Sequence, residues 1–126
     1  MRYKVGTDIC SVHRIERVHQ RFGQKFLLRI LTDGEINYVL SRPKSFAQSL
    51  AARFAAKEAT CKALGVGWNG INWKEVEVVK RQSGEPALTL HGRAAKLAES
   101  LGLSHFEVSI SHEQDYATAL VLAYGE

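Results

Sequence analysis

One run constrains this chain most: Arg53-Phe54-Ala55-Ala56-Lys57-Glu58-Ala59-Thr60-Cys61-Lys62-Ala63-Leu64-Gly65. It consists mostly of alanine and long unbranched side chains, the residues that favour helix most. Gly65 is its natural stop. At about 100° per residue, Phe54, Glu58 and Lys62 share one stripe, with Arg53 and Lys57 beside them. One carboxylate among three cations suits an acid that holds a metal while bases hold phosphates. A solvated helix face with i,i+4 ion pairs would have the same composition.

A chain of 126 residues is expected to form one domain, 1–126, with a core of its own. No apolar stretch approaches the roughly 20 residues of a membrane span. Met1-Arg2-Tyr3-Lys4 is followed by no apolar region, so no secretory signal is expected. The two cysteines, Cys10 and Cys61, lie far apart without a CxxC pattern. That points to a reducing cytoplasm rather than to a disulfide scaffold or a zinc knot. The net charge of +4 is unevenly spread: five Arg or Lys residues stand between Arg14 and Arg29, opposed only by Glu16. Such an excess suggests an acidic partner, nucleic acid or protein.

Tyr3 to Ile9 alternates as a strand, with Asp8 near its end and Ser11 as N-cap of a helix. That helix has an apolar face (Val12, Ile15, Val18, Phe22) and a basic one (Arg14, Arg17, Arg21), and Gly23 ends or loosens it. Thr32-Asp33-Gly34-Glu35 is a capping box opening a short helix to about Leu40. Pro43 stops that helix, and Ser45-Phe46-Ala47-Gln48 reads as a second box. Val66 to Asn72 is a glycine-rich loop. Trp73 to Lys80 reads as a strand that turns at Ser83-Gly84 into Pro86–Leu90. A helix from Gly92 to Leu101 and strands Phe106–His112 and Ala117–Tyr124 complete the chain. This order predicts an α+β fold with a largely antiparallel sheet, a long helix and shorter helices packed on it.

Asp8 and Glu58 are the acids that draw attention. Two carboxylates with phosphate oxygens and waters are the usual setting for Mg²⁺, although Asp8 could equally be a helix-proximal cap. The loop glycines Gly65, Gly67 and Gly70, with Asn69, follow a helix instead of preceding one, so they form no P-loop. Gly65 reads first as a cap. In Ser109-Ile110-Ser111-His112, neighbouring residues of a strand point to opposite faces and no nucleophile elbow surrounds either serine. His112 is therefore expected to orient or contact a ligand. His13, His19, His91 and His105 lack metal-ligand spacing, and Phe54 is expected to pack the helix.

Three strings together resemble the signatures of bacterial holo-acyl-carrier-protein synthases, the small 4′-phosphopantetheinyl transferases: Gly6-Thr7-Asp8-Ile9, Arg53–Ala59 continuing to Lys62 and Gly65, and Val108-Ser109-Ile110-Ser111-His112. Ile30-Leu31-Thr32 with Glu35, and Ser83-Gly84-Glu85-Pro86, also resemble theirs, and the likeness covers nearly the whole chain in order. The resemblance implies transfer of phosphopantetheine from coenzyme A to a serine of an acyl carrier protein, with release of 3′,5′-ADP, for fatty acid synthesis. It implies that Asp8 and Glu58 hold Mg²⁺ and that Asp8, Glu58 and Lys62 carry the catalysis. Arg53, Lys57, Lys62, Gly65, Ser83, Gly84, Pro86 and His112 would bind coenzyme A. Arg14, Arg17, Arg21, Phe22, Lys25, Phe26 and Arg29 would dock the acidic carrier protein. It implies as well a cytoplasmic homotrimer with clefts between subunits, so that His112 and the Ser83–Pro86 turn serve a neighbour's metal site.

The competing reading is a non-catalytic basic module that binds nucleic acid. It explains the Arg14–Arg29 stripe but leaves Asp8 and Glu58 without a purpose, and no nucleic-acid recognition motif appears. The larger transferases of secondary metabolism, which resemble a fused pair, are much longer than this chain.

Overall fold

The chain runs β1 (Arg2–Ser11), α1 (Val12–Phe22), α2 (Gln24–Ile30), α3 (Asp33–Leu40), α4 (Phe46–Leu64), β2 (Val76–Lys80), β3 (Pro86–Leu90), α5 (Gly92–Ser100), β4 (His105–His112) and β5 (Tyr116–Gly125). A computed structural model gives this architecture and describes residues 1–67 and 70–126. The fold is α+β, as expected. Its strands form two antiparallel units, a sheet in the order β1-β5-β4 and the hairpin β2-β3, with β3 lying beside β4.

Alanine explains how α4 can occupy the centre. Ala51, Ala52, Ala55, Ala56, Ala59 and Ala63 are all buried, and their short side chains let the sheet approach the helix backbone. At Gly6 the approach is closest: a Cβ there would lie 1.9 Å from the Ala59 carbonyl oxygen. Only glycine fits. The contact seats β1 on α4 and puts Asp8, two residues on, on the same inner face of the strand. Leu50, Val39 and Val121 have no exposed surface and close the core; Leu50→Ala should cost about 2–5 kcal/mol.

The local signals mostly act as the sequence suggests. The Ser11 side chain accepts from the Arg14 amide, Thr32 and Glu35 form a reciprocal capping box, and Gly65 ends α4 at φ 75°. Gly23, at φ 58°, separates α1 from α2, so the basic segment is two helices. Two expectations are corrected. Pro43–Ser45 forms a 3₁₀ turn, and the Ser45 side chain makes no capping bond to α4. Trp73–Glu75 is also a 3₁₀ turn instead of the start of a strand, because Asn72 and Glu75 cap each other around it.

The larger apolar side chains of β1 face outward. Tyr3, Val5 and Ile9 are each at least 60% exposed, whereas Gly6 and Cys10 are buried against α4. In register beside them, Leu120 and Tyr116 of β5 are also exposed. One face of the three-stranded sheet is thus apolar and uncovered in the single chain. Among the described residues no helix is long and apolar enough to cross a membrane.

Candidate active site

Asp8 and Glu58 come together. β1 delivers the first and α4 the second, and both line a cavity of about 400 Å³ with Arg14, Phe26 and Phe54. Lys62, one turn beyond Glu58, reaches the same strand. Its ammonium donates to Asp8 Oδ1 at 3.1 Å and to the Thr7 carbonyl at 3.0 Å. Asp8 is mostly covered while Lys62 stays half exposed. Cys10 shares the cavity, but burial first and then the Asp8 charge push its thiol up to about 11. It is therefore protonated near neutrality and no nucleophile.

The other two cations of the motif do not join this acid. From Glu58 to Arg53 is five residues, a rotation of about 140° around the helix, and the structure puts the two on different flanks of α4. Lys57 is fully buried. Its ammonium donates to Glu35 Oε1 at 2.8 Å, to the Trp73 carbonyl at 3.0 Å and to the Val76 carbonyl. Glu35 in turn accepts from the Thr32 and Val78 amides. All three N–H groups of the lysine are used within the protein, leaving none for a phosphate. The expectation that Lys57 holds a coenzyme phosphate is corrected on that ground: it ties α3, α4 and β2 together.

Arg53 lines a second cavity, of about 180 Å³, with Tyr38, Lys80, Gly84, Pro86 and His112. Expected coenzyme residues from the hairpin, β4 and α4 thus meet at one place. Ser83 stands in the turn just before Gly84 and donates to Glu85 at 2.7 Å. Gly65 sits at the end of α4, near Lys62 in sequence, where its amide bonds the Lys62 carbonyl; Asn69, from the same loop, lies outside the described residues. The two cavities have no lining residue in common.

A third cavity, of about 520 Å³, is framed by Phe22, Lys25, Phe26, Arg29, Phe54 and Trp73. It shares Val18, Phe26 and Phe54 with the cavity of Asp8 and Glu58, so the two form one continuous surface. Four of the seven expected docking residues line it. Arg14 instead borders the acid pair, Arg21 stacks over Phe22 at 5.2 Å, and Arg17 is exposed on α1. Phe54 does more than pack: it stacks on Trp73 at 4.9 Å and walls both cavities. Its place one turn before Glu58 on the same stripe was the available signal. Tyr38, Ser49 and Lys80 had none, because the α3, β2 and α4 contacts that assemble them are long-range.

Among the described residues no group of three or more His, Cys, Asp or Glu side chains could hold a metal by itself. A pair of carboxylates on one cavity does fit Mg²⁺, which keeps waters and takes only one or two carboxylates when phosphates complete its shell.

An acid pair with an adjacent lysine, opening onto a basic-edged apolar groove on an α+β scaffold, is a set of side chains suited to phosphoryl-group transfer. The family model described as the 4′-phosphopantetheinyl transferase superfamily matches residues 4–121. The holo-[acyl-carrier-protein] synthase of Gloeobacter violaceus is 45% identical over 123 residues, covering 98% of this chain and 93% of that protein. The crystal structure of the Neisseria meningitidis synthase superposes with a TM-score of 0.87 at 38% identity, over 96% of this chain and 97% of that one. The Helicobacter pylori synthase in complex with coenzyme A gives 0.83 at 32% identity, over 95% and 99%. The chain belongs to the 4′-phosphopantetheinyl transferase superfamily and, within it, to the holo-[acyl-carrier-protein] synthases. It is an enzyme of phosphopantetheinyl transfer.

Proposed function

We propose that this chain transfers the 4′-phosphopantetheine arm of coenzyme A to a serine of an apo acyl carrier protein, in a Mg²⁺-dependent reaction that releases adenosine 3′,5′-bisphosphate and supplies the holo form for fatty acid synthesis. The observation that carries this reading is the meeting of Asp8 and Glu58 on one cavity, beside Lys62 and continuous with the Phe22–Phe26–Phe54 groove. The names of the relatives and the coenzyme A in the Helicobacter pylori structure support it.

In the reaction the serine oxygen forms a bond to the pantetheine-side phosphorus while the bond to the bridging oxygen breaks. Asp8 and Glu58 would hold the metal, which when bound supplies neutralisation of the pyrophosphate charge. Lys62, already held against Asp8, balances charge on the leaving oxygen. Glu58 orients a water that takes the serine proton, because an ordinary carboxylate is a weak base for a direct transfer. Arg53, Gly84, Pro86 and His112, with Ser83 in the adjacent turn and Gly65 beyond Lys62, bind the coenzyme. The carrier docks on Arg14, Arg17, Arg21, Lys25 and Arg29 by charge and on Phe22 and Phe26 by apolar contact.

The active unit in this reading is a homotrimer in the cytoplasm. A coenzyme bound to Asp8 and Glu58 of one copy and to Arg53 and His112 of the next accounts for two cavities on different flanks of α4. The uncovered face of Tyr3, Val5, Ile9 and Leu120 suits such self-association. Two free cysteines are in keeping with a reducing compartment.

Mass spectrometry of an apo carrier protein incubated with this enzyme, coenzyme A and Mg²⁺ tests the reading. A phosphopantetheine mass increase is expected; an unmodified carrier, with an authentic synthase active alongside, would refute it.

A further inference from the structure

Arg53 and Lys80 line the second cavity together with Tyr38, and Arg42 packs on the same tyrosine ring. Arg53 lies with its guanidinium carbon 3.9 Å from the centre of the Tyr38 ring, Arg42 follows at 4.8 Å, and the Lys80 ammonium stands at 5.8 Å. Three cations thus surround one aromatic ring. Among the described residues, none of the three lies within ion-pair distance of a carboxylate. Arg53 is only 8% exposed, its Nε has no hydrogen-bond partner, and its Nη1 makes a single long bond of 3.5 Å to the Ser49 carbonyl. Arg53 nevertheless lines the second cavity.

Like charges this close repel, and a fold gains nothing by collecting them unless an anion arrives. The negative face of a tyrosine ring attracts each of them, and its flat surface fixes the plane of a guanidinium without consuming its N–H donors. A carboxylate in the same position would pair with those donors and cancel the charge. From this geometry we infer that Tyr38 is a positioning residue for the coenzyme: its ring gathers Arg42, Arg53 and Lys80 into a preformed anion site for a phosphate of coenzyme A that is not transferred. The inference rests on the transferase reading above and adds to it Tyr38, Arg42 and Lys80. Tyr38 itself touches no reacting atom.

The test is steady-state transfer by Tyr38→Leu, which removes the ring, and Tyr38→Phe, which keeps it. Tyr38→Leu is expected to raise KM for coenzyme A at least tenfold with kcat within a factor of two, and Tyr38→Phe to stay within threefold of the parent in both. Lys80→Gln should raise that KM about threefold in the parent and add little in Tyr38→Leu, since the ring that places the lysine is gone. Unchanged KM in Tyr38→Leu overturns the inference, and so does equal loss in Tyr38→Phe, which would assign the effect to the hydroxyl. If Tyr38→Leu does not fold, Arg42→Gln and Lys80→Gln, both at exposed side chains, decide: a raised KM in each supports the site, and unchanged values in both overturn it. An inactive parent enzyme would be failure of the transferase reading itself, a different result from an active parent indifferent to Tyr38.

Discussion

Lys57 and Glu35 form an ion pair with no solvent exposure on either side chain, 2.8 Å apart, and every donor of the lysine is satisfied. Taking one partner away leaves the other charge buried and alone. Lys57→Met should therefore cost about 3–5 kcal/mol, and the double variant Lys57→Met, Glu35→Met should recover much of that, because well-packed apolar pairs often replace buried ion pairs at little cost. Urea denaturation of the two variants measures it. A stable Lys57→Met enzyme with a raised KM for coenzyme A would return Lys57 to phosphate binding.

Gly6→Ala tests how β1 is seated. The added methyl meets the Ala59 carbonyl, so strand and helix must part. A loss of about 1–3 kcal/mol or more is expected, with a larger fall in transfer rate, because Asp8 moves away from Glu58. Melting curves and rates measured on one preparation separate the two effects.

Docking can be separated from chemistry at Arg29, which borders the apolar groove but not the acid cavity. Arg29→Glu should raise KM for the carrier protein about tenfold, leave KM for coenzyme A unchanged, and weaken the salt dependence of carrier binding. An unchanged carrier KM would put docking elsewhere.

Acid should loosen the β2 end of the protein. For Glu75 and Glu77 burial alone would raise the carboxyl pKa. Hydrogen bonds outweigh it and hold both below the usual glutamate range, from the Asn72 and Arg93 amides in the first case and from His91 and Thr32 in the second. A carboxylate whose folded pKa is depressed stabilises the protein above its unfolded value, about 4.3, and loses that contribution as pH falls through the folded value. Thermal stability should drop below about pH 4.3, and less steeply in Glu75→Gln, Glu77→Gln. Parallel pH profiles would contradict this.

What the sequence discloses here follows the range of each interaction. The Thr32–Glu35 box, the Ser11 cap and the Gly65 stop are set by residues within one turn and form as expected. Asp8 and Glu58, from distant segments, were legible as a pair through the chemistry they share and through the resemblance. The fate of Lys57 was not, because Glu35 and the β2 carbonyls that capture it are folded against it from elsewhere in the chain. Nor was the direction of β1, whose alternation marks a strand but does not say which face the alanine-rich helix covers. The Tyr38 cluster depends on three elements meeting and leaves no local trace.

In the proposed transfer Asp8 and Glu58 act together at one cavity, and the rate of carrier modification by Glu58→Gln tests that most directly. With Mg²⁺ and saturating coenzyme A, a fully folded Glu58→Gln enzyme should lose at least about a hundredfold in rate, and EDTA should abolish transfer by the parent. Transfer at the parent rate by the variant, or by the parent in EDTA, would contradict the account.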